Sequence, residues 1–128
     1  MAKSPAAIAF LLWAIISIPT ASDDEVIDFA TEVAPILERH CFECHGPTQH
    51  YSNLRLDLRE RLLRGGELGE VLVPGRPEES PLYLRIVLPQ DDLDFMPVDN
   101  EPLRDDETET VRRWIAAGAD FNAWTGVE

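Results

Sequence analysis

Cys41-Phe42-Glu43-Cys44-His45 is the stretch on which the reading of this chain turns. Two thiols two residues apart on a helical turn can add to the two vinyl groups along one edge of a porphyrin, and the adjacent imidazole then lies beneath the iron. Cys41 and Cys44 are therefore the candidate attachment points of one covalent haem, and His45 is its candidate proximal ligand. Cys-x-x-Cys also serves in dithiol redox sites, in zinc sites and as a short-loop disulfide. A structural zinc site needs four Cys or His ligands, whereas this chain has two cysteines and, besides His45, only His40 and His50. A thioredoxin-like site sits at the start of a helix after a strand, and the residues before Cys41 read as a helix.

Upstream, Lys3 is followed by an apolar run from Ala6 to Ile18 and by the small residues Thr20, Ala21 and Ser22, the order of a secretory signal peptide. The run is shorter than the ~20 residues needed to span a bilayer. The expected organisation is a signal peptide over 1–22, cleaved near Ala21 or Ser22, and one domain over 23–128. The product is expected to be periplasmic or otherwise exported, with no membrane span after cleavage.

The 106 residues left after cleavage are enough for one small domain. Without Lys3 they carry ten arginines against 24 Asp and Glu, a balance of about −14. Such a charge repels nucleic acid and anionic lipid, and suits a redox partner with a cationic docking surface.

Phe29, Val33, Ile36 and Leu37 recur at helical spacing and lead into Cys41, with Pro35 either kinking that helix or lying in its first turn. Gly46 and Pro47 stop it after His45. Asp57 and Glu60 have capping-box spacing ahead of a short helix over about 58–64, closed by Gly65-Gly66. Ser80-Pro81 reads as a cap and first-turn proline for a helix through Val87. A last helix is expected over 105–117, with Asp106 and Glu109 at capping-box spacing and Gly118 as its stop. Trp114 on its apolar face is expected to pack near Phe29 and Val33.

Chemistry concentrates a second time in the acidic loop Gln90-Asp91-Asp92-Leu93-Asp94-Phe95, which ends in Met96-Pro97. Met96 is the only methionine besides the initiator. A thioether opposite the histidine is a common second ligand of haem iron and raises its reduction potential. Met96 lies in a loop rather than on an apolar helical face, which makes it the candidate distal ligand, with His50 and then His40 as competitors. Arg55 and Arg85 are candidates for pairing with haem carboxylates.

Taken in order, Val33 to Leu37, Cys41 to Gly46, Leu54-Arg55-Leu56-Asp57, Gly65-Gly66, Val73-Pro74-Gly75, Pro77 to Ser80, Met96-Pro97 and Trp114 to Ala119 resemble planctomycete-type cytochrome c domains. The resemblance covers about residues 29–121. It implies a small all-α fold similar to class I cytochromes c, with N- and C-terminal helices packed across each other and haem in an apolar crevice. It further implies haem c held by Cys41 and Cys44 and ligated by His45 and Met96. Two positions depart from the pattern: Val98 stands where a second proline is common, and Arg104 where the last helix usually has a Ser or Thr cap.

These readings lead to an exported monohaem electron carrier, free or as a subunit of a larger redox complex, rather than an enzyme. A haem sensor or peroxidase-like protein with an open distal site is the alternative. A haem-free interaction module with a Cys41–Cys44 disulfide is a third reading.

Overall fold

The computed structural model describes residues 2–6, 9, 14–16 and 26–127. The expected cleavage site at Ala21 or Ser22 lies outside the described residues, as does most of the apolar run before it. Among the described residues no helix is long and apolar enough to cross a membrane.

The first helical segment opens at Asp28, whose carboxylate accepts from the Ala30 amide at 3.2 Å while its own amide donates to Glu32 Oε2 at 2.7 Å. A π turn over Phe29–Val33 then runs directly into helix α1, Ala34–His40. The Ala34 amide bonds to Phe29 O, five residues back, so the register changes immediately before Pro35. Pro35 thus falls in the first turn of α1, where its missing N–H has no bond to lose.

Phe29, Val33, Ile36 and Leu37 are all buried, as their spacing predicts. Across from them lies the C-terminal helix α4, Asp105–Ala116, which buries Val111, Trp114 and Ile115. The Phe29 ring stands 4.9 Å from Trp114, 4.7 Å from Phe121 and 4.6 Å from Trp124, between centroids. Trp114 Nε1 donates to Asp120 O at 2.8 Å, so the indole is buried without an unpaired donor. Each such side chain contributes roughly 1.5–3 kcal/mol by leaving water. This aromatic seam fixes where the two terminal helices cross, and the crossing falls at the π turn.

Glu107 makes a second tie between them. Its carboxylate is buried and accepts from Arg39 Nη1 at 2.8 Å, contacts His40 Nε2 at 3.2 Å, and accepts from the Arg104 amide at 3.1 Å. Burial raises the Glu107 pKa, but the Arg104 amide and the bond and charge from His40, with Arg104, outweigh it and hold the carboxyl below its usual range.

Between the seam elements lie two short helices, α2 (Arg59–Arg64) and α3 (Pro81–Ile86), with single 3-10 turns at Tyr51–Asn53 and Pro77–Glu79. The fold is all-α. Among the described residues there is no strand, only isolated backbone bridges. One of these pairs Leu58 with Gly126, flanked by Arg59 N to Thr125 O and Val127 N to Asp57 O, both 3.0 Å. The C-terminal residues are thereby stitched to the start of α2.

Four local expectations are revised by tertiary partners. Helix α1 stops at His40, and the five motif residues occupy the turn beyond it. Asp57 does not cap α2; it is buried and binds Arg55 through two bonds, at 3.0 and 2.6 Å. Ser80 stands at the cap position of α3, but its fully buried hydroxyl accepts from the Val73 amide at 2.9 Å and reaches the Arg76 and Val73 carbonyls. In α4 the carboxylate that closes back on the first turn is Glu107 rather than Glu109, which pairs instead with Arg112.

Candidate cofactor site

Beyond α1 the chain makes one further turn, in which the His45 amide donates to Cys41 O at 2.9 Å and the Cys44 amide to the same carbonyl at 3.3 Å. This turn brings Cys41 and His45 to one side. It ends at Gly46, where a Cβ would lie 2.1 Å from Phe42 O, so only glycine allows the backbone to pass so close. Gly46 N then bonds to Gln49 O at 2.7 Å, Tyr51 N to Cys44 O at 3.1 Å and Leu56 N to His45 O at 2.8 Å. The motif is thus held by the loop that follows it.

Cys41 and His45 open onto a cavity of about 350 Å³, within the ~300–1,000 Å³ range of small-molecule and cofactor sites. Leu54, Leu56, Val71, Leu82 and Ile86 supply much of its apolar wall. A tight turn closes one side: Gly66 and Gly69 exchange two backbone bonds of 3.1 Å, with Glu67 and Leu68 at the tip. Gly66 must be glycine, since a Cβ there would lie 2.6 Å from Ser52 O.

Met96 lines this same cavity. Its neighbours Phe95 and Pro97 are buried, and its amide donates to Arg85 O at 3.1 Å, which fastens the loop to the last turn of α3. Three of the four residues singled out from the sequence, Cys41, His45 and Met96, therefore meet at one place. Cys44 is half-buried on the same turn and is not among the cavity-lining residues. The competing histidines are elsewhere: His40 is held by Glu107, and His50 is exposed and off the cavity wall.

The electrostatics separate the possible chemistries. Burial pushes the Cys41 thiol up to about 12, and Cys44 beside it pushes the same way. A thiol held protonated is poorly suited to dithiol exchange, which uses the thiolate. Burial also lowers the His45 pKa; the Leu54 and Tyr51 backbone opposes this, and the Arg85 charge lowers it further. A neutral imidazole is the form that binds a metal. Its Nδ1 is buried without a well-aligned hydrogen bond. The donor set of one imidazole and one thioether on an apolar cavity, with two adjacent thiols, fits a covalently held haem.

The family model described as Planctomycete cytochrome C matches residues 41–99. Over that segment, a little under half of the chain, it is similar to planctomycete cytochrome c. The match begins at Cys41 and takes in the motif, the cavity wall and Met96. No curated protein and no solved structure matches the chain significantly. That similarity points to covalent haem c, and Cys41 and Cys44 have the spacing for it.

Arg85 is the cavity residue to which sequence reasoning gave too little weight. It was legible only as one of two candidate arginines, because the distinction depends on which finds a carboxylate elsewhere: Arg55 is bound to buried Asp57, whereas Arg85 lines the cavity.

Proposed function

We propose that this protein is an exported monohaem c-type cytochrome that carries single electrons and does not itself transform a substrate. The observation that carries the reading is that Cys41, His45 and Met96 line one largely apolar cavity within a cytochrome c domain. Bound haem would supply reversible one-electron chemistry at iron.

In this reading the thiols of Cys41 and Cys44 form thioethers, His45 Nε2 is the proximal ligand and the Met96 sulfur the distal one. Leu54, Leu56, Val71, Leu82 and Ile86 exclude water, which disfavours the more highly charged ferric form and raises the potential along with the thioether. The acidic surface steers a redox partner with a cationic docking face. The order of residues 1–22 supports export of the domain at 23–128.

Absorption spectra of material matured in a host that attaches haem c test the reading. A c-type spectrum is expected, with a weak far-red thioether-to-ferric-iron band that Met96→Ala abolishes, and slow carbon monoxide binding by the reduced protein. An unchanged spectrum in Met96→Ala would overturn the distal assignment, and rapid carbon monoxide binding by the parent would favour the sensor or peroxidase reading.

A further inference from the structure

We propose that Arg85 anchors a haem propionate and at the same time positions Met96, its guanidinium taking the carboxylate while its main-chain carbonyl holds the Met96 amide. This rests on the haem reading above.

A haem brings two carboxylates to an otherwise apolar cavity, and a buried carboxylate is costly without a charged partner. Arg85 is the one arginine or lysine among the cavity-lining residues; Glu67 and Glu70, which also line the cavity, repel a propionate. Arg55 is spent on Asp57. Arg85 is not: its ion pair with Asp94 is a single contact of 3.5 Å to a largely exposed carboxylate, which is worth little. A guanidinium has five donors, so the rest remain for a bidentate carboxylate.

The second half of the assignment is in the backbone. Met96 N donates to Arg85 O at 3.1 Å, so the last turn of α3 sets the position of the residue that carries the thioether. A propionate bound to Arg85 fixes that turn relative to the porphyrin, and the hydrogen bond passes the constraint to Met96.

The test compares full-length haem-loaded wild type with Arg85→Gln, Arg85→Lys and Asp94→Asn, read by resonance Raman of the propionate bending mode, by potentiometry and by the far-red thioether band. Arg85→Gln is expected to shift the propionate band, to lower the reduction potential because a charge that disfavours ferric iron is gone, and to weaken the far-red band. Arg85→Lys keeps the charge but not the fork, so it shifts the propionate band with a smaller fall in potential; it carries the test if the glutamine variant does not mature. Asp94→Asn is expected to leave the propionate band in place. A wild type without haem would overturn the parent reading. Normal haem ligation with a propionate band that none of the arginine variants moves, or an Asp94→Asn variant that reproduces the Arg85→Gln change, would overturn the Arg85 assignment alone.

Discussion

The seam between the terminal helices and the cavity half over residues 41–99 are built on different terms. In the seam, Phe29, Trp114 and Phe121 find one another within 5.2 Å and the one indole donor of Trp114 is satisfied by the chain itself. In the cavity half the helices have six residues each; Leu56, Leu62 and Leu72 join the seam's core, while Leu54, Val71, Leu82 and Ile86 pack against it only in part and line the cavity. The seam is closed by the chain's own side chains; the other half shares that core but leaves part of its apolar surface on a cavity. Helices of this length are unstable by themselves, so in the proposed reading the cavity half depends most on the haem.

The largest test of this contrast is to remove the attachment points together. Cys41→Ser with Cys44→Ser is expected to abolish covalent haem and to destabilise residues 45–99 more than any other change considered. Hydrogen exchange should show protection collapsing there while α1 and α4 keep theirs; equal loss in both regions would erase the distinction.

Trp114→Ala attacks the other side. Opening a cavity in the seam costs about 3–5 kcal/mol, measurable by denaturant unfolding. The haem spectrum of the molecules that remain folded should not change.

Glu107→Gln sharpens the comparison through pH. A charge-assisted bond contributes about 1.5–3 kcal/mol, so the variant should lose about 2 kcal/mol near neutral pH. Because the folded Glu107 pKa is lowered, its stabilisation is fully present above the unfolded carboxyl value and is lost as pH falls through the folded one. The gap in Tm between wild type and variant should therefore close in acid; a gap that widened there would contradict the ion-pair account. Smallest of all, Leu68→Ser should change stability by no more than about 0.5 kcal/mol, since Leu68 is 84 % exposed at the cavity rim.

What the sequence disclosed and what it hid divide along the same physical line. The haem motif and the helical stripes are local: five consecutive residues carry the first, and Phe29, Val33, Ile36 and Leu37 need only the helical period. Met96 was legible because a lone methionine in a polar loop has no packing reason to be there. The misjudged residues were Asp57, Ser80 and Glu109, each assigned to a cap by spacing. Asp57 was claimed by Arg55 two residues back, Ser80 by the Val73 backbone seven residues back, and Glu109 by Arg112 on its own helix face. Glu107, which joins α1 to α4 from 67 and 68 residues away in sequence, left no local signal. Spacing shows that a cap is available; which of several nearby groups a side chain takes, and every long-range partner such as that of Glu107, is chosen by the fold.

The stitching of Thr125, Gly126 and Val127 to Asp57, Leu58 and Arg59 has a practical corollary. A reporter or affinity handle joined close behind Val127 would pull on paired backbone beside the Arg55–Asp57 ion pair, and removal of Thr125 to Val127 would unfasten it. A spacer of several glycines and serines would let such a fusion report on the molecule without prising it open.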